Sequence, residues 1–326
     1  MAGRRRLSLK EWGFLTLCCL MLACTACASR VVSAPDTQVT TLVASQLRGS
    51  TVDLHTQRPI TFEMLVSMVS AVQVVAVGEE HYQEPIQTFA LRLLQALAQR
   101  RPQRLALAME FLEHDMQPVV DEYLQGAIDR TAFQKRISAS ANFMRFYFPL
   151  VQAAKDHGLP VLAINVPRRL ARQIAQQGLQ TTLQRLSPDD LAYLPPSLST
   201  ITPEYRTYFL DAVAAHHPVT GEQAERFVEA SHVKDDTMAA TIARFLDDHS
   251  GFTVFVLAGR FHIDYGRALP RLLQQRRHLT TIQRITTMSL DDGDTVDVPH
   301  LSQENIADYV WFAPQTPPTE GNTPRG

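Results

Sequence analysis

The stretch VVAVGEEH, Val74 to His81, decides how this chain is read. Four apolar residues and a glycine, with no polar residue between them, have the pattern of a strand buried on both faces. The strand then delivers three ionisable side chains, Glu79, Glu80 and His81. Further along, the pattern recurs. RLALAM (Arg104–Met109) runs into Glu110, LPVLAI (Leu159–Ile164) into Asn165, Pro167 and Arg168, and FTVFVLAG (Phe252–Gly259) into the sequence GRFH that ends at His262. A fifth strand is predicted at TIQRIT, Thr281–Thr286. Helical segments separate these strands. In Pro85–Arg100, Phe89, Leu93, Leu94 and Leu97 share one face, and Pro85 suits a first helical turn. Further helices are expected at Phe143–Gly158 and from about Gly221 to Asp247. The expected fold class is α/β, a mostly parallel central sheet flanked by helices. A helical lobe at Leu112–Ala141 or a lid at Leu186–Pro218 would stand beside it.

In an open sheet of this kind, ligands bind outside the carboxyl ends of the strands. Four strands each bring a polar or ionisable group to that edge. GEEH and GRFH share the form G-x-x-H, in which a glycine permits a sharp exit and a histidine follows three positions later. Singly the motif is weak, and its force lies in the repetition. Glu79, His81, Glu110 and His262 have the donor types of a site for a divalent metal such as Zn, Mn or Co. Glu79 or Glu110 would then serve as general base in a metal-dependent hydrolase. The plainer readings are a structural salt bridge from Glu110 to Arg145 or Arg168, and a satisfied core histidine at His262. Glu80 is expected to be solvated, and His114, His157, His249 and His278 to be surface residues. Asp235, on the long helix, either faces the site or pairs with an arginine. His216 and His217, before Pro218, form either a ligand pair or a loop.

The chain has 326 residues, 45% hydrophobic and 20% charged, with a formal net charge of −2. The body carries no basic stripe, so a nucleic-acid partner has no electrostatic footprint. Arg4, Arg5, Arg6 and Lys10 precede an apolar run, Trp12–Ala23, of signal-peptide length and too short to span a bilayer comfortably. LMLAC, ending at Cys24, resembles a bacterial lipobox, with Cys27 as the rival lipidation site. RRLSLK leaves the Sec or Tat export route open. All four cysteines lie in this leader, so the body has no disulfide framework, thiolate metal site or cysteine nucleophile. The expected organisation is a lipoprotein signal peptide at 1–23, a tether at 24–53, a single α/β domain at 54–312, and a disordered Pro- and Thr-rich tail at 313–326.

VVAVGEEH, LALAMEF, FYFPLVQAAKDHGLPVLAINVPR, KDDTMAATIA and VFVLAGRFHIDYGRALPRLL, in that order and spacing, resemble the ChaN-like haem-binding lipoproteins over roughly Val72–Leu273. The wider group includes Tiki-type metalloproteases, TraB-like proteins and erythromycin esterases. The resemblance implies a haem-binding lipoprotein of the bacterial outer membrane, facing the periplasm or the surface and serving iron uptake. Its partners would be haem, the membrane through its lipid anchor, a second copy in a homodimer, and an outer-membrane receptor. The shared polar set is Glu79, His81, Glu110, Asn165, Arg168, Asp235 and His262, with Tyr147 in the aromatic segment. The axial ligand stays open between a histidine of that set and a tyrosine of the insertion, Tyr205 or Tyr208. The aromatic walls of a porphyrin cleft would come from Phe143–Phe148 and the 186–218 insertion.

Overall fold

The structure, a computed structural model, describes residues 42–214 and 221–314. The leader with Cys24 and Cys27, the His216–His217 pair and all but the first two residues of the tail lie outside the described residues. Among the described residues no helix is long and apolar enough to cross a membrane.

Eight strands form one mixed sheet: β1 (Thr51–Asp53), β2 (Arg58–Ile60), β3 (Val74–Glu79), β4 (Leu105–Glu113), β5 (Val161–Asn165), β6 (Thr253–Gly259), β7 (Ile282–Met288) and β8 (Tyr309–Phe312). Their order is β2-β1-β8-β7-β3-β6-β4-β5. From β8 to β5 every pairing is parallel, while β1 pairs antiparallel with both β8 and β2. The five expected strands are all present. Three further strands complete this sheet, of which β2 and β8 were not expected and β1 is a short strand of the kind the 24–53 stretch left room for. β1 lies in the stretch read as a tether, and β8 is only four residues, YVWF.

Side-chain alternation sorts the core into two layers. Val75, Val77, Leu105, Leu107, Met109, Phe255 and Leu257 face one side, where helix α1 (Glu84–Arg100) packs Phe89, Leu93, Leu94 and Leu97 against them. Val74, Ala76, Ala106, Ala108, Val254, Val256 and Ala258 face the other side. Their small size lets the long helix Gly221–Asp248 lie close, with Met238, Ile242 and Leu246 against the sheet. Truncating a fully buried residue such as Leu93 to alanine costs roughly 2–5 kcal/mol.

The remaining helices depart from expectation in instructive ways. The helix expected at Phe143–Gly158 begins as a π-helical turn, Phe143–Tyr147, and continues as α2 (Phe148–Asp156). Pro149 lies just beyond: it has no N–H and its ring crowds the carbonyl four residues back, which favours a widened turn. The 112–141 lobe is helical only from His114, because β4 runs on to Glu113 past a register shift. The 186–218 insertion carries a twelve-residue helix, α3 (Pro203–Ala214), ahead of α4 (Gly221–Asp248).

Candidate functional site

The same alternation that builds the core separates the two glutamates. Glu79 is in phase with Val75 and Val77, on the α1 side, and Glu110 is in phase with Ala106 and Ala108, on the α4 side. Each therefore collects its own partners.

Glu79 is fully buried at the end of β3. Its carboxylate accepts hydrogen bonds from the Gln87 amide of α1, from the Tyr147 hydroxyl at 3.3 Å, and from His81 Nδ1. A carboxylate offers only acceptors, so Nδ1 carries the imidazole proton and Nε2 presents a lone pair. The hydrogen bond to Glu79 raises the His81 pKa, partly opposed by burial. The His81 side chain is 50% exposed, and Nε2 makes no hydrogen bond among the described residues. Its ring packs edge-on to Phe111 at 5.4 Å between centroids, and Phe111 stacks on Tyr147 at 3.7 Å. Tyr82 stands beside it, 46% exposed, 5.7 Å from Phe146 and held at φ +62°. A bulky residue in the left-handed region is strained, and such strain concentrates at functional sites.

The second cluster is a buried chain. Tyr205 Oη, on α3, donates to Asp235 Oδ2 at 2.6 Å; Asp235 Oδ1 lies 2.6 Å from His262 Nδ1; His262 Nε2 lies 3.1 Å from Glu110 Oε1. Lys234 Nζ is 3.6 Å from the same oxygen, and the Gly259 N–H donates to Glu110 Oε2 at 2.8 Å. Burial alone would lower the His262 pKa, but Glu110 and Asp235 together raise it to about 9. Burial would raise Glu110, yet His262, Lys234 and Gly259 together hold it well below the usual carboxylate range. His262 is thus an imidazolium with both N–H groups spent.

Gly259 joins the two clusters. A Cβ there would lie 2.9 Å from His81 Cε1 and 3.5 Å from both His81 Nε2 and Glu110 Oε2. The backbone at 259 has an ordinary φ of −55°, so the glycine is required by space alone. Gly259→Ala is expected to push the imidazole off Glu79 while the fold persists. The His81 pKa, followed by ring proton NMR, should then fall towards its ordinary value; an unchanged titration would show that the ring moves aside freely.

Several expected site residues take other roles. Tyr147 is buried beneath His81, its hydroxyl spent on Glu79 and its pKa raised by burial. Tyr205 and Tyr208 are also buried, with raised pKa values and hydroxyls committed to Asp235 and to the Phe261 carbonyl, so neither offers an oxygen to a ligand. The aromatic wall beside His81 comes from Tyr82, Phe111 and Phe146; the insertion's Tyr205, Tyr208 and Phe209 pack with Phe261 instead. Asn165 is buried and donates to the Glu110 carbonyl at 3.1 Å, leaving its Oδ1 without a protein partner among the described residues. Arg168 is exposed and pairs with Glu113, and Arg145 pairs with Glu84, so neither bridges to Glu110. Glu80 is not simply solvated, since it pairs with Arg260 at 3.0 Å. His114, expected at the surface, is partly buried and bonded through both ring nitrogens. The four-ligand metal set does not assemble. Among the described residues no group of three or more His, Cys, Asp or Glu side chains is placed to hold a metal ion, because sheet alternation parts Glu79 from Glu110 and His262 is protonated between two carboxylates.

An α/β sheet with a histidine–carboxylate pair and an aromatic wall at its carboxyl edge defines a ligand-binding class of protein. The chain belongs to the haem-binding uptake family ChaN of the Tiki superfamily, whose model matches residues 65–273. Its fold is similar to that of ChaN of Campylobacter jejuni, described as binding haem cofacially: TM-score 0.60, 20% identity, 80% of this chain and 95% of that one. An erythromycin esterase in its open conformation is also similar, with TM-score 0.44 and 14% identity over 74% of this chain and 77% of that one. In sequence the chain is 20% identical over 224 residues to the chloroplastic protein RETICULATA-RELATED 5 of Arabidopsis thaliana, 66% of this chain but 30% of that protein. It thus spans under a third of the length of this curated relative.

Proposed function

We propose that the protein binds haem at the carboxyl edge of the sheet, with His81 Nε2 as axial donor. The observation that carries this reading is the Glu79–His81 pair, in which the proton sits on the inward nitrogen and the outward one is open on a half-exposed ring. Haem iron accepts an imidazole nitrogen in its axial position. The protein's part is to hold that nitrogen: Glu79 fixes the tautomer, Gly259 gives the ring its seat, and Phe111 braces its edge. Tyr82 and Phe146 offer apolar surface beside it. Hydrolysis is less well served. Its two glutamates lie on opposite faces of the sheet, and His262 has no free nitrogen.

In this reading a lipid on Cys24 anchors the protein at the outer membrane, where it takes part in iron uptake, alone or as a homodimer, beside a receptor. Haemin titration tests the central claim. A saturable Soret band at micromolar protein supports it. No spectral change on adding haemin, together with stoichiometric Zn, Mn or Co in the same preparation, would turn the reading to the metal-dependent hydrolase.

A further inference from the structure

A groove of about 330 Å³ lies between the C-terminal half of α4 and the amino half of the edge strand β5, and it shares its lining with a neighbouring one of about 410 Å³. No residue of the Glu79 or Glu110 clusters lines either. Leu162 of β5, Tyr193 and Phe245 of α4 make its apolar wall. His114 braces it. Its Nδ1–H donates to the Tyr193 carbonyl at 3.0 Å and its Nε2 lies 2.7 Å from the Thr241 hydroxyl, which ties the 192–194 segment to α4. Burial lowers the His114 pKa, so the brace is a neutral imidazole.

The acidic and basic side chains of the two grooves are His114, Arg244, Asp247, Asp248, His249 and Arg276. Most are committed within the protein. Asp247 pairs with Arg277 at 2.9 Å, and Arg276 with Asp236 at 2.7 Å. His249 Nδ1 bonds the Phe245 carbonyl at 3.0 Å, and its ring stacks on Phe245. Arg244 and Asp248 alone have no hydrogen bond or ion pair among the described residues, and both are exposed. They sit one helical turn apart on α4, so one cation and one anion face the same apolar wall.

We propose that this groove is a second ligand site, for a zwitterionic α-amino acid with an apolar side chain. The ligand's carboxylate meets the Arg244 guanidinium, its ammonium meets Asp248, and its side chain lies against Leu162, Tyr193 and Phe245. A simple anion or a simple cation would satisfy one of the two groups and be repelled by the other; a zwitterion satisfies both.

Isothermal titration of the purified protein with L-leucine and L-phenylalanine tests this, with leucinamide and N-acetyl-leucine as controls that each lack one charge. The expected result is saturable binding of the free amino acids and about tenfold weaker binding of both controls. Arg244→Gln and Asp248→Asn should each weaken the amino acids to a similar degree. Both side chains are exposed, so thermal melts should match the parent protein, and the haemin titration should be unchanged. The proposal is overturned if neither amino acid binds saturably at millimolar concentration, if leucinamide and N-acetyl-leucine bind as well as leucine, or if binding survives in both variants.

Discussion

His81→Ala is expected to abolish the axial-ligand signature of bound haemin, and to do so without unfolding the protein. The imidazole is half exposed at the end of β3, and its removal strips ring contacts from Phe111 and Tyr82 and one hydrogen bond from Glu79. The carboxylate it leaves behind still accepts from Gln87 and Tyr147. Stability should therefore change little while the Soret band loses its histidine character. Glu79→Gln is the informative companion. It keeps a carbonyl oxygen for Nδ1–H but removes the charge, and partners of this kind are worth roughly 10–100-fold in metal-ligand affinity. The pH dependence has a definite sign. Glu79 raises the His81 pKa, and a protonated Nε2 has no lone pair to give. Haemin affinity should be level above that raised pKa and fall as pH drops through it. In Glu79→Gln the fall should begin at lower pH. Haemin titrations of the three proteins between pH 5 and pH 8 would check this; a Soret band in His81→Ala identical to the parent's would end the case for His81.

Four of the five expected strands were legible because burial on both faces leaves long apolar runs, and the carboxyl-edge residues followed from where those runs stop. The short strands were not. YVWF is four residues before a proline-rich tail, and TVD has no run at all. Their place in the sheet is set by pairing with strands far away in sequence. For the site, residue identity was legible but grouping was not. That Glu79 and Glu110 point to opposite faces depends on the register of β3 and β4 against β6, which two strands buried on both faces do not reveal in sequence. That His262 is fully committed depends on Asp235, 27 residues earlier on α4, reaching it through tertiary packing. Lys234, its neighbour in sequence, was a missed member of the Glu110 cluster, and so was Tyr82 beside His81. Nothing local marks a tyrosine for positive φ; only its position directly after His81 hints at a role. Haem is implied by the order of the motifs and not by the chemistry of single residues, since a histidine paired with a carboxylate suits many ligands.

Loss of the His262 imidazolium should destabilise the protein as much as truncating a fully buried core residue. It lies between Asp235 and Glu110 with 8% of its side chain exposed, and every charge in the chain from Tyr205 to Lys234 is placed relative to it. His262→Gln removes the positive charge and leaves two buried carboxylates facing one amide. Breaking a buried ionic set in this way costs roughly 3–5 kcal/mol. The parent protein should show the same interaction as a pH dependence. The folded pKa is raised to about 9 from about 6.5 in the unfolded chain. Below about 6.5 both states hold the proton and the stabilisation is fully present. As pH rises towards 9 the unfolded state has already lost its proton while the folded state keeps it, so stability falls along that interval and levels off above it. A gap of this size corresponds to about 3 kcal/mol. Urea midpoints from pH 6 to pH 10 should slope downward in the parent and be nearly flat in His262→Gln over the same range. Equal slopes in the two proteins would mean that His262 is neutral in the fold.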